Sequence, residues 1–325
     1  LELIGTAVSW SVCAAGFAQL LLLWIAVWKK GIRILPRKPE LTPRIRRLLL
    51  LMGPGVIAAG VQQINLIVGT AIATSEPGAN SSLNFADRLF QMPNGMIGAA
   101  FGVVLLPEIT RLLRSGKELE ANDTVGRGVL LSMLVTLPAM VAFVVAPAAF
   151  IGPIYERGEF TADDTRAVSL ALACFAAGLP AYVLVKVLQA GYFARENTKS
   201  PMKIAIVTVL TNAIGSLVLF RFVGFIGIAI ATSLAGWVNV VLLVAGLRGS
   251  IGLGRERRRQ LVRILLAAVA MGGVVFAAYH GLAPWFEGAE WQRFAAMLLL
   301  VGVGAAAYGV LALALRATSV AELKA

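Results

Sequence analysis

Apolar residues along this chain do not recur at the period of a surface helix or alternate like a half-buried strand. They run on for about twenty residues at a time and then give way to short polar stretches. The runs occupy 3–28, 48–73, 88–110, 128–150, 167–193, 202–220, 224–247, 261–280 and 294–315. Each is long enough to cross about 30 Å of hydrocarbon as a helix. Barrel strands would instead alternate in-facing and out-facing residues over about ten positions. The pattern therefore predicts an all-α polytopic membrane protein of nine transmembrane helices, with no room between spans for a soluble domain.

Composition agrees with that pattern. The chain is 58% hydrophobic and 14% charged, with a mean hydropathy of +0.82, whereas soluble domains are nearer 45–50% apolar and about 25% charged. A net charge of +12 raises the question of nucleic acid, but the placement of the charge answers it. All but six of the 29 Lys and Arg residues fall in 29–47, 111–127, 195–203, 248–263 and the tail after 315. Basic residues concentrated in alternate loops mark the cytoplasmic face of a membrane protein, so the C-terminus is expected to be cytoplasmic and no nucleic-acid partner is expected. With an odd number of spans Leu1 falls on the outer face, and a chain entering there is expected to be a fragment with further spans upstream. Cys13 and Cys174 sit singly in apolar runs and His280 is the one histidine, so neither a disulfide framework nor a metal cluster is expected.

Two basic linkers divide the runs into one, six and two, giving segments 1–47, 48–248 and 249–325. The first linker interleaves cations with apolar residues and suits the anionic inner leaflet. Helix breakers stand at membrane depth at Pro54 and Gly55, Pro93 with Gly95 and Gly98, Pro138, Pro147, and Gly178 with Pro180. Broken or bent helices are expected there, as in proteins that line a cavity or change shape.

Two of the six exceptional cations lie in or at the edge of spans, Arg88 and Lys186. A charge near hydrocarbon costs several kcal/mol unless it meets water, a counter-ion or a substrate. The plainer alternative for Arg88 is a snorkelling side chain paired with Asp87, and for Lys186 snorkelling toward the cytoplasmic surface.

The segment around Arg88 reads Asn84-Phe85-Ala86-Asp87-Arg88-Leu89-Phe90-Gln91-Met92-Pro93-Asn94-Gly95 and ends in Val103-Val104-Leu105-Leu106-Pro107-Glu108-Ile109-Thr110-Arg111. It closely resembles the signature of the MurJ/MviN lipid II flippases, within the multidrug/oligosaccharidyl-lipid/polysaccharide exporter superfamily. Leu35-Pro36-Arg37, Met52-Gly53-Pro54, Tyr155-Glu156-Arg157-Gly158-Glu159-Phe160-Thr161 and Lys199-Ser200-Pro201-Met202-Lys203 agree in order. The resemblance implies that 1–47 holds the last helix of a mostly absent first lobe plus a basic amphipathic linker. It makes 48–248 a six-helix second lobe and 249–325 a basic linker with two groove-forming helices. Five further helices would precede Leu1.

What the resemblance implies for function is translocation of lipid II, the undecaprenyl-pyrophosphate-linked peptidoglycan precursor, between leaflets of the bacterial inner membrane by alternating access. Anionic inner-leaflet lipids and peptidoglycan synthases are the other implied partners. Arg88 would line the cavity with Asp87 and Gln91 beside it, and Lys186 is a further substrate-binding candidate. Gln91 falls where some members carry an acid. Arginine suits a pyrophosphate because its planar donors engage two oxygens at once. Glu108 and Arg111 are gate candidates, with positive-inside anchoring and a local ion pair as their plainer reading. No cofactor is implied. Coupling to Na+ or H+ stays open, with Asn65, Asn212 and Ser216 the cation candidates and Thr208 and Thr211 nearby. Gly69 lies where a ligand carboxylate would be expected, which argues against sodium, and membrane potential is a further alternative. Export of another undecaprenyl-linked glycan, or of drugs, is the competing reading. A membrane enzyme is disfavoured, because no Asp/Glu pair lies within a span.

Overall fold

The computed structural model describes residues 2–31, 67–247 and 249–317, with isolated positions between 42 and 63. Regular structure among the described residues is helical: α1 (Glu2–Lys29), α2 (Ala79–Arg114), α3 (Glu118–Val145), α4 (Ala148–Tyr155), α5 (Ala162–Ala176), α6 (Leu179–Phe193), α7 (Lys199–Val223), α8 (Ile226–Gly246), α9 (Arg255–Gly281), α10 (Ala283–Phe286) and α11 (Glu290–Ala314). Seven helical segments among these residues are long and apolar enough to cross a membrane. The expected span 48–73 lies mostly outside the described residues, as do Pro54, Gly55 and most of the first basic linker.

The chain forms two compact units, Leu1–Leu49 and Leu50–Ala325. The first contains α1, whose Trp10, Phe17 and Trp24 are all exposed. A helix apolar on every side has no water-facing surface of its own, which is the composition of a membrane span.

The second unit has two cores. One gathers Leu83, Leu89 and Phe90 of α2, Ile151 of α4, Leu172 and Phe175 of α5 and Ile228 of α8. The other joins Ile109 of α2, Val125 and Met133 of α3, Val187 of α6, Leu243 of α8, Ile264 and Met271 of α9 and Leu300 of α11. The last two long helices therefore share a core with the helices before them. They are also tied at both ends. Arg257 bonds the Asp123 carboxylate, and the Gly252 amide donates to the Asn122 carbonyl at 2.9 Å. This approach needs glycine at 126, where a Cβ would lie 2.6 Å from the Gly252 oxygen. At the other end Arg293 Nη1 meets Glu156 Oε1 at 2.9 Å, while the Thr165 hydroxyl donates to Glu156 Oε2 at 2.7 Å. Glu156 belongs to the Tyr155–Thr161 motif, whose last residue caps α5 through a reciprocal bond with Asp164.

The proline and glycine sites behave differently from one another. Pro93 and Pro138 lie inside helices that continue through them, as does Pro107. Breaks occur at two of the expected sites, at Ala146 and Pro147, between α3 and α4, and at Ala177 and Gly178, where the run 167–193 becomes α5 and α6. For Pro138 the reason is visible. A proline lacks the amide that would bond the carbonyl four residues back, and the Tyr308 hydroxyl donates to that carbonyl, Leu134, at 2.7 Å. At Gly178 a Cβ would lie 2.7 Å from Ser233 Oγ, so α8 packs directly on the break. Ser233 Oγ donates to the Cys174 carbonyl at 2.6 Å and Trp237 Nε1 to the Ala177 carbonyl at 2.9 Å.

If Tyr308 serves the carbonyl vacated by Pro138, Tyr308→Phe costs about 1 kcal/mol in the natural background. In a Pro138→Ala background the restored amide bonds Leu134 itself and the cost falls close to zero. Thermal unfolding of the four proteins in a double-mutant cycle measures this, and equal costs in both backgrounds refute it.

Candidate functional site

Helix α2 has an apolar face that fixes the direction of its polar one. Leu83, Ala86, Leu89 and Phe90 are buried, with the Phe90 ring centred 5.9 Å from Phe175 and 5.5 Å from Tyr182. The spacing of three and four residues then leaves Ser81, Asn84, Arg88 and Gln91 exposed along three successive turns. Arg88 makes no ion pair or hydrogen bond with any described residue. Asp87 is not its partner. The Asp87 carboxylate accepts a hydrogen bond from Gln91 Nε2 one turn on, so acid and amide form a local pair beside a free guanidinium.

Lys186 lies on α6, half-buried, and its ammonium does not snorkel away. Nζ donates to the Asn94 main-chain oxygen and to Asn94 Oδ1, each at 3.0 Å. Two of its three protons are thereby held by one residue of α2, and one remains for another acceptor. Asn94 itself is 9% exposed. Sequence reasoning passed over it, because an asparagine between Pro93 and Gly95 carries the marks of a turn and its partner lies 92 positions away. The helical period places Asp87, Gln91 and Asn94 within one sector of α2, Asn94 turned toward α6.

Glu108 and Arg111 form the ion pair their spacing suggests, 2.6 Å long and open to solvent. They edge a cleft of about 800 Å³ whose other charged walls are Lys117, Glu120, Asp123 and Arg127. Exposed pairs of this kind hold little energy. The cleft mixes both signs of charge.

Of the cation candidates, Asn65 lies outside the described residues. Asn212 and Ser216 are buried on α7. Ser216 Oγ donates to Asn212 Oδ1 at 3.4 Å, and Thr232 of α8, which the sequence did not single out, approaches the same oxygen at 3.3 Å. Thr208 and Thr211 direct their hydroxyls to their own helix, onto the carbonyls of Ile204 and Val207. Among the described residues no three His, Cys, Asp or Glu side chains gather where a metal ion could be held.

The chain is similar to known proteins over most of its length. The family described as lipid II flippase MurJ matches residues 2–301. A probable lipid II flippase MurJ of Rhizobium tropici is 43% identical over 278 residues, covering 85% of this chain and 52% of the relative. One of Rhizobium meliloti (strain 1021) is 42% identical over 282 residues, covering 86% and 53%. The chain thus spans about half the length of these curated relatives. A solved structure of lipid II flippase MurJ in an inward closed conformation superposes with a TM-score of 0.70 at 25% identity, covering 91% of this chain and 59% of that one. An outward-facing multidrug resistance MATE family transporter of the MOP superfamily shares the fold at a TM-score of 0.56 and 15% identity, with 83% and 65% covered. On sequence and fold together, the chain belongs to the lipid II flippase MurJ family.

Proposed function

We propose that this chain is part of a lipid II flippase, contributing one wall of a water-filled cationic cavity that carries the pyrophosphate and sugar head between leaflets of the inner membrane. The observation that carries the reading is the exposed row Ser81, Asn84, Arg88 and Gln91 on a helix otherwise packed by apolar side chains. Arg88 lies nine residues into α2, about 14 Å beyond its start. Polar groups at that depth are stable against water or a polar ligand and costly against lipid. An arginine with no acceptor among the described residues keeps its donors for phosphate oxygens.

In this reading Lys186 adds a second, fixed cation. Asn94 holds its ammonium in place through neutral oxygens, leaving the positive charge uncompensated and one N–H unused. Asp87 and Gln91 form the polar surround of Arg88. The basic helix ends, with Arg111, Arg127, Arg195 and the arginines that open α9, suit the cytoplasmic face and its anionic headgroups, which supports a C-terminus inside. The Glu108 and Arg111 pair, weak and exposed, sits where the inner opening would be gated.

In the full-length protein, Arg88→Ala abolishes rescue of a strain depleted of its own flippase while membrane insertion and abundance stay normal, and Arg88→Lys restores only part of the rescue. Normal growth with Arg88→Ala would remove the central role. Asn94→Ala, by freeing the ammonium, lowers the rate of lipid II translocation in proteoliposomes by about tenfold, as does Lys186→Gln, and the double variant is no slower than either single one. Multiplying effects would mean that the two residues act independently.

A further inference from the structure

We infer that Asn212, Ser216 and Thr232 form a neutral hydrogen-bond clasp joining α7 to α8, and that this lobe takes up no sodium there. Taken with the transport reading above, on which this last step rests, the cycle is then not driven by sodium. The argument begins with the donor set. The segment 48–75 and helices α7 and α8 contain no Asp or Glu, and Glu76, the next residue, is held at the start of α8 by the Phe225 amide at 3.0 Å, so a cation beside Asn212 would have to be held by neutral oxygens. A hard cation prefers carboxylate oxygen, and burying its charge without a counter-charge is heavily unfavourable.

The neutral oxygens are also already engaged. Asn212 is 3% exposed and Ser216 is 1% exposed. The Asn212 Oδ1 atom, the strongest neutral ligand available, faces Ser216 Oγ at 3.4 Å and Thr232 Oγ1 at 3.3 Å. The single Thr232 proton is shared between that oxygen and the Ile228 carbonyl at 2.7 Å. An ion entering here would have to turn the Ser216 proton away from Asn212 and leave the Thr232 proton to the Ile228 carbonyl alone. On the remaining side, a Cβ at Gly69 would sit 3.5 Å from Ile228 Cγ2. A longer side chain at 69 would therefore meet an apolar wall, and the glycine itself supplies no side-chain ligand.

What remains is a directed link between two helices that otherwise touch through small and apolar residues. It gives α7 and α8 one register, and because no member is ionised it does so at any sodium concentration and any membrane voltage. In lipid, where apolar side chains gain nothing by leaving water, such interhelical hydrogen bonds select one packing among several.

The test is thermal unfolding of the purified chain in sodium chloride and in choline chloride at matched ionic strength. The expected result is the same Tm in both salts, with Thr232→Val, which removes the bond that crosses between the helices, lowering it by about 2 °C in each. A saturable rise in Tm with sodium that Thr232→Val removes would overturn the inference, and so would a Thr232→Val variant as stable as the parent. In proteoliposomes of the full-length protein, lipid II translocation is expected at one rate with or without a sodium gradient. Translocation that requires the gradient refutes sodium independence while leaving the flippase reading standing. Absence of translocation in either salt refutes the flippase reading, and the unfolding data still decide the clasp.

Discussion

A backbone carbonyl in hydrocarbon has no water to turn to, so wherever a helix breaks, ends or contains a proline the protein must supply a donor of its own. The tertiary hydrogen bonds of this fold follow that requirement. Tyr308 serves the carbonyl left by Pro138, Ser233 and Trp237 serve the break between α5 and α6, and Tyr192 reaches the Leu243 carbonyl near the end of α8. The donors come from 51 to 174 positions away. Lipid tails are as apolar as leucine, so apolar surface alone cannot choose which helices become neighbours. These directed bonds, with close approaches such as Gly126 on Gly252, make the choice.

The same constraint explains what the sequence reveals and what it hides. Hydropathy detects the part of a helix that lies in lipid, and the structure extends some runs by polar turns that hydropathy cannot count: 261–280 becomes Arg255–Gly281 and 294–315 begins at Glu290. Breakers mark positions where the backbone is at risk but not the outcome. Pro138 stays helical because a tyrosine 170 positions later caps the vacated carbonyl, whereas Gly178 yields because α8 lies against it. Neither partner is visible from the local pattern.

The candidate site divides in the same way. Arg88 is legible because a cation in an apolar run is an energetic anomaly, and the neighbouring motif adds to it. Asn94 and Thr232 are not, since each is an ordinary polar residue until its partner on another helix is known. The last two long helices read as a separate pair because a basic linker precedes them, yet they share a core with α3, α6 and α8 and are fastened at Asp123 and at Glu156.

The bond between Lys186 and Asn94 differs in kind from the ion pairs at the helix ends. A carboxylate partner would have made the site a dipole whose field dies away within a few ångströms. Two amide oxygens anchor the ammonium and leave a monopole, whose attraction for an anion falls off more slowly with distance and is felt before any contact is made. Position and charge are thus set by separate means: asparagine decides where the lysine stands, and no carboxylate among the described residues pairs with it.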